Sequence, residues 1–168
     1  LMVRRTEGGT MAAIVTTGAL PHSDELVSML KRGLPSLASC IHGINRNPRD
    51  PGIGSKTELL FGSAELAETV CGLKFNVGAH SFLQVNPEQT QKLYLAAANA
   101  LNLTANDDIA DVFCGIGTIS LLLAQRARSV LGIEAVPPAV KDARRNAKLN
   151  NIKNVEFICE NAETALPR

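Results

Sequence analysis

One stretch, residues 108–121, constrains the possible folds of this 168-residue chain more than any other. Its apolar first half breaks at Gly115-Ile116-Gly117, and a helical pattern begins directly after the second glycine. A β-strand that passes through a tight glycine turn into a helix has this pattern. Glycines in such a turn allow positive φ angles and let a ligand lie against the main chain, while the helix directs its free N–H groups to the same place. The stretch therefore predicts a ligand-binding loop, although an ordinary turn between a strand and a helix would look similar.

A second strand pattern follows at residues 129–134 and ends in the carboxylate of Glu134. In a wound βαβ unit, an acid about twenty residues after the glycine turn can accept hydrogen bonds from both hydroxyls of a ribose. Residues 138–149 then form an amphipathic helix pattern, and residues 155–159 form a third strand pattern. The apolar side of the predicted helix carries Val140, Ala143, Ala147 and Leu149. This order of elements predicts half of a doubly wound α/β sheet, whose ligands bind at the carboxyl ends of the strands.

The residues around the glycines separate two classes of cofactor. Dinucleotide-binding loops continue as G-x-G-x-x-G, but here Ser120 occupies the third glycine position, and Asp111 precedes the first glycine by four residues. This D-x-x-C-G-x-G form, together with Glu134, resembles motifs one and two of the class I methyltransferases. The resemblance implies a Rossmann-like sheet that binds S-adenosylmethionine. An NAD-dependent oxidoreductase domain is the alternative.

The composition limits the classes of partner that the chain can have. A net charge of +1 gives no overall basic field that would attract nucleic acid, so any RNA-binding surface is expected to be local. No apolar run reaches the length of about 20 residues that a membrane span needs, and no protein partner is evident. The four cysteines lack C-x-x-C spacing, which favours reduced thiols in a cytoplasmic protein, and we expect no metal site. Two of them, Cys114 and Cys159, are interpreted as packing residues.

Residues 1–85 predict a small central α+β subdomain, and residues 86–168 predict the beginning of the wound domain. Strand patterns in the first part cover residues 1–5, 11–17, 37–44, 58–61, 65–70 and 74–77. A helix is predicted from Ser23, as its N-cap, to Gly33, and residues 47–54 are predicted as a loop. The apolar stripe of this helix is predicted to be Leu26, Met29 and Leu30.

A second helix, predicted at residues 87–101, joins the two parts of the chain. Its apolar side is predicted to contain Leu93, Ala96, Ala97 and Ala100. Residues 102–107 are predicted as the turn that leads into the strand before the glycines.

One further motif has no explanation in composition or periodicity. Residues 81–87 read S-F-L-Q-V-N-P, a short apolar stretch in which the amides of a Gln and an Asn would be costly to bury without partners. Together with residues 111–118 and the helix ending N-A-x-x-N at residues 146–150, this stretch resembles the RNA uracil-5 methyltransferase family. The resemblance covers most of the chain and is most specific over residues 82–163.

The resemblance implies S-adenosylmethionine as cofactor, RNA as substrate and 5-methyluridine as product. The residues that it assigns to cofactor binding are Gln84, Phe113, Gly115, Gly117, Thr118, Glu134 and Asn161. Glu134 is expected to hold the ribose, and Asn161 is expected to lie near the adenine. The amide of Gln84 and the hydroxyl of Thr118 suit the methionine end of the cofactor.

The catalytic groups of the family are a cysteine that adds to uracil C6 and a base that removes the C5 proton. Their motifs do not occur before Arg168, so the resemblance implies a fragment that carries cofactor-binding motifs without catalytic residues. The wording C-G-I-G-T-I-S-L favours 23S rRNA enzymes. A transfer-RNA enzyme and a non-catalytic RNA-binding scaffold are the alternatives. A truncated sheet would expose a strand edge, which predicts self-association.

Overall fold

The structure is a computed structural model that describes residues 1–47, 49 and 52–166. The chain divides into two compact units. One consists of Leu1–Glu68 with Asn76–His80, and the other consists of Thr69–Phe75 with Ser81–Arg168. Across the described ranges, no helix has the length and apolar character that crossing a bilayer requires.

The first unit is built on a four-stranded sheet with the order β1-β2-β3-β4. Its strands are β1 Met2–Thr6, β2 Gly9–Thr16, β3 Leu37–Ile44 and β4 Lys56–Gly62. The pairs β1–β2 and β3–β4 are antiparallel, whereas β2 and β3 are parallel and are connected through helix α1, Ser23–Gly33. Met11, Ile41 and Leu66 form a buried core cluster in this unit. The predicted strands of this region are present, with ends shifted by a few residues.

Helix α1 differs from its prediction in its cap and in the side that it buries. The N-cap is His22, which has a left-handed backbone (φ 57°) and no side-chain capping bond, and Ser23 is already helical. Val27 is the buried residue of this helix, while Met29 of the predicted stripe is 61% exposed. The prediction of the stripe was therefore wrong at Met29, because the helix turns Val27 toward the unit.

A two-stranded sheet follows, made of β5, Glu65–Val70, and β6, Leu73–Gly78. Cys71 and Gly72 form the turn between them, both with positive φ angles. In the predicted loop at residues 47–54, Pro48, Asp50 and Pro51 lie outside the described residues.

The second unit contains a parallel sheet with the order β7-β8-β9. The strands are β7 Asp108–Val112, β8 Ser129–Glu134 and β9 Val155–Cys159. The helices are α2 Pro87–Ala100, α3 Thr118–Ala124, α4 Pro137–Leu149 and α5 Ala162–Ala165. Strand and helix alternate from β7 onward, as in one half of a doubly wound sheet. The predicted α/β fold class is confirmed.

The buried face of α2 is not the predicted one. Thr90, Tyr94 and Ala98 are buried, whereas the predicted apolar side is exposed, Leu93 by 59%. Tyr94 is the largest side chain of its face, and its spacing of four residues from Thr90 and Ala98 places all three on one line of the helix. For α4 the prediction was right at Val140, Ala143 and Ala147 and wrong at Leu149, which is exposed at the last helical residue.

Candidate functional site

Two backbone hydrogen bonds join the start of the loop after β7 to the neighbouring strand, β8. The N–H groups of Phe113 and Cys114 both donate to the carbonyl of Ile133 in β8, at 2.8 and 3.0 Å. Phe113 has a positive φ of 67°, which is uncommon for an aromatic residue, and its side chain is 73% exposed. The loop therefore holds an aromatic ring in solvent at the carboxyl end of the sheet.

The two glycines of the loop serve different purposes. A Cβ on Gly117 (φ 84°) would stand 2.9 Å from Cζ of Phe157 and 3.3 Å from Cβ of Ala143, so this glycine permits close packing on β9 and α4. Gly115 (φ 56°) is different, because among the described residues outside its immediate neighbours no heavy atom lies within 4 Å of such a Cβ. The main chain at Gly115 therefore borders open space.

Glu134, the last residue of β8, connects the β7 and β8 loops. Its Oε2 accepts the N–H of Gly115 at 3.0 Å, and its Oε1 accepts the N–H of Val136 at 2.9 Å. The residue is half-buried. An ionised carboxylate offers about four lone-pair positions, so two remain for further donors beside Gly115. This is an arrangement that can receive vicinal hydroxyls.

Ser120 and Asp111 form a pair below the loop. Ser120 is fully buried, and its Oγ donates to Oδ2 of Asp111 at 2.5 Å. Burial raises the pKa of Asp111, and the bond from Ser120 partly opposes this rise. Ser120 stands at the third glycine position of the dinucleotide pattern. It binds the carboxylate of Asp111 in β7 and does not leave the space that a glycine would leave.

Cys114 is buried near two acids, Asp111 and Glu134. Burial, followed by the negative charges of Asp111 and Glu134, raises the pKa of its thiol to about 12. A thiol in this state is not a nucleophile at neutral pH. Cys159, interpreted from the sequence as a packing residue, is instead exposed at the end of β9.

The other predicted site residues lie at the carboxyl ends of the strands or before α2. Thr118 is the first residue of α3, and Asn161 is an exposed N-cap of α5 just after β9. Gln84 is exposed beside Asn86, whose Oδ1 caps α2 by accepting the N–H of Gln89 at 3.1 Å. Within the part of the chain that the structure describes, no hydrogen bond joins Gln84 or Asn161 to the β7 loop.

Sequence reasoning gave no role to Asn146, although this side chain is fully buried and bonds to the loop. The sequence signal that could have identified Asn146 was a polar amide on the apolar side of α4, which also carries Ala143 and Ala147. Elsewhere, His42 is buried with Nε2 2.7 Å from Oγ1 of Thr16. The described ranges contain no group of three or more His, Cys, Asp and Glu residues suited to a metal ion.

Comparison with known proteins connects this chain to a family. The family model described as tRNA (uracil-5-)-methyltransferase matches residues 55–166. An uncharacterized RNA methyltransferase of Halalkalibacterium halodurans is 41% identical over 97% of this chain and 36% of its own length. One of Enterococcus faecalis is 40% identical over 100% of this chain and 37% of its own length. The chain thus spans little more than a third of these relatives.

Among solved structures, the tRNA (uracil-54, C5)-methyltransferase of Pyrococcus abyssi, in complex with S-adenosyl-L-homocysteine, superposes with a TM-score of 0.69 and 24% identity. The match covers 93% of this chain and 37% of the Pyrococcus chain, and it shows that the two share a fold. With two thirds of its residues in the family match, this chain belongs to the tRNA (uracil-5-)-methyltransferase family.

Proposed function

We propose that this chain is the cofactor-binding part of an S-adenosylmethionine-dependent RNA methyltransferase that forms 5-methyluridine, with 23S rRNA as its substrate. The observation that carries the proposal is the pairing of Glu134 with Gly115. A carboxylate with free lone pairs stands 3.0 Å from a loop N–H whose residue borders open space, at the carboxyl end of a wound sheet. Ligands bind at this position in such sheets.

The residues present fit such a cofactor. Glu134 would accept the two ribose hydroxyls, and the exposed ring of Phe113 would cover an apolar face of the ligand. Gly115 and Gly117 would let it approach the main chain. Gln84 and Thr118 would bind the methionine end, and Asn161 would bind the adenine. The bound cofactor would supply an activated methyl group.

Methyl transfer itself needs groups beyond those of this site. With a pKa of about 12, Cys114 is unsuited to attack uracil C6. The chemistry of the family needs a cysteine nucleophile and a base, and our proposal assigns neither group to the residues of this site. The proposed role of this chain is therefore to bind and orient the cofactor and to keep water from one side of it.

The proposal is tested by calorimetric titration of this chain with S-adenosylmethionine, S-adenosylhomocysteine and NAD. Loss of a carboxylate that accepts charge-assisted bonds costs about 1.5–3 kcal/mol, so Glu134→Ala should weaken binding of the two sulfur compounds roughly ten- to a hundredfold. The matched control is Glu156→Ala, which removes an exposed carboxylate at the second residue of β9. Preferred binding of NAD would favour the oxidoreductase alternative and overturn the proposal.

The RNA substrate is tested with the full-length protein. Transfer of a labelled methyl group to uracil C5 in 23S rRNA, and not in transfer RNA, is the expected result. It rests on the motif wording C-G-I-G-T-I-S-L. Methylation of transfer RNA alone would favour the tRNA alternative, and RNA binding without methylation would favour a scaffold.

A further inference from the structure

The N-A-x-x-N ending of α4 places two amides where they contact backbone of other elements. Nδ2 of Asn146 donates to the carbonyl of Ile116 at 3.1 Å, and the side chain of Asn146 is fully buried. Ile116 is the residue between the two loop glycines. The bond therefore joins α4 to the centre of the proposed cofactor loop.

The loop itself binds one end of the peptide that receives this bond. Gly115 and Gly117 both have positive φ angles, and glycine has more backbone freedom than any other residue. On the loop's own side, the N–H of Gly117 donates to the carbonyl of Cys114 at 2.9 Å. The bond from Asn146 fixes the opposite, carbonyl end of the same Ile116–Gly117 peptide.

Asn150 in turn holds the end of the helix that carries Asn146. Its Oδ1 accepts the N–H of Lys74 at 2.8 Å, and its Nδ2 donates to the carbonyl of Lys74 at 2.6 Å. Nδ2 also donates to the carbonyl of Asn146 at 2.8 Å. The backbone N–H and the backbone carbonyl of Lys74 in β6 are thus both bound by the side-chain amide of Asn150. These bonds restrain the last turn of α4.

We infer that Asn146 is a positioning residue that sets the conformation of the glycine loop for cofactor binding, and that Asn150 fixes the helix turn from which it acts. This inference rests on the proposed function. In this role Asn146 acts through the Ile116–Gly117 peptide, whose carbonyl it binds, and so restrains the backbone between the two glycines.

The test compares Asn146→Asp with Asn154→Asp. The first keeps the size and the acceptor oxygen of residue 146 but loses the N–H donor to Ile116. The second removes an amide that donates to the carbonyls of Ala124 and Ala127, at 2.8 and 3.1 Å, at the C-terminal end of α3 and just after it. Both variants lose a side-chain-to-backbone bond of the same unit, so a general loss of stability affects both.

Two quantities are measured for each variant: amide hydrogen exchange of residues 113–118 relative to residues 155–159, and affinity for S-adenosylhomocysteine. Asn146→Asp should raise relative exchange in the loop and the dissociation constant by roughly tenfold or more, because a buried carbonyl loses its donor. Asn154→Asp should change both by less than about twofold while lowering the melting temperature.

Equal changes of exchange in the loop and in β9 for Asn146→Asp would overturn the inference. If the buried charge prevents folding, Asn146→Ala replaces it in the same comparison, and failure of both variants to fold would show a general structural role instead. Failure of the wild-type chain to bind S-adenosylhomocysteine would reject the proposed function, whereas the exchange measurement would still decide the positioning role.

Discussion

The carboxylate of Glu134 accepts the backbone N–H of Gly115 at 3.0 Å, although the two residues are 19 positions apart in the sequence. The same carboxylate accepts the N–H of Val136 with its other oxygen. The residue proposed to bind the ribose therefore also joins the two loops that form the site. A substitution at this position should change the stability of the unit as well as its affinity for a ligand.

We expect Glu134→Gln to lower the free energy of unfolding by about 1 kcal/mol. A glutamine amide has one acceptor oxygen, so it can receive the N–H of Gly115 or that of Val136, and the other donor meets an NH₂ group. Urea denaturation followed by circular dichroism measures the change. Glu156→Gln is the control and should leave the midpoint unchanged, since its side chain is exposed on β9. Equal stability of Glu134→Gln and the wild type would contradict a joining role for the carboxylate.

The two loop glycines should respond differently to alanine. At Gly117 a Cβ meets the ring of Phe157 at 2.9 Å, so Gly117→Ala should destabilise the unit by about 2–4 kcal/mol through crowding and backbone strain. At Gly115 the Cβ enters open space, so only the strain of about 1–2 kcal/mol applies to folding, but a bound ligand would lose that space.

Thermal unfolding and calorimetric titration together distinguish the two glycine variants. Gly115→Ala should lose more free energy of binding to S-adenosylhomocysteine than free energy of unfolding. Gly117→Ala should lose more free energy of unfolding than free energy of binding. The same ratio of the two losses in both variants would argue against a ligand at Gly115.

The order of elements from β7 to β9 could be predicted from sequence because its signals are local. An apolar run, two glycines and a helical period follow one another within residues 108–121, and Glu134 stands at the end of the next apolar run. Such signals place a residue at the end of a strand. They do not reveal that Glu134 bonds to Gly115, because that bond depends on how two distant loops meet.

The errors in the prediction concern features that depend on tertiary packing and that a local sequence pattern does not determine. Helix α2 carries apolar residues on more than one side, and the pattern alone does not say which side faces the unit. Tyr94 is buried, so the side of α2 that faces the unit is the one that does not contain Leu93. Likewise, Cys159 ends an apolar strand pattern but lies at its exposed end, and the left-handed backbone of Phe113 is not expected for an aromatic residue.

Alkylation should distinguish Cys159 from Cys114. With a pKa of about 12, roughly one Cys114 thiol in ten thousand is a thiolate at pH 8, and the side chain is also buried. We expect iodoacetamide to modify exposed Cys159 at least about tenfold faster, as followed by mass spectrometry of peptides. In urea the two rates should become similar. Faster modification of Cys114 in the folded chain would contradict its burial near Asp111 and Glu134.

The pH dependence of stability should have opposite signs for Asp111 and Asp108. Burial raises the pKa of Asp111 above its ordinary value of 3.8, so its ionised form is disfavoured in the folded state. The resulting loss of stability is absent below pH 3.8 and complete above the raised pKa. Asp111→Asn removes this loss and still accepts the bond from Ser120, so its stability relative to the wild type should increase as the pH rises from about 3 to 7.

Asp108 is the matched control for this measurement, because it is an exposed carboxylate in the same strand. Bonds from Arg128 and then Ser129 lower its pKa to about 2. The stability that its ionised form contributes is present above pH 3.8 and is lost as the pH falls through about 2. The stability of Asp108→Asn should therefore decrease relative to that of the wild type as the pH rises. The decrease should be small because the ion pair is exposed. Urea midpoints at a series of pH values measure both differences, and slopes of the same sign would show that burial does not control the ionisation of Asp111.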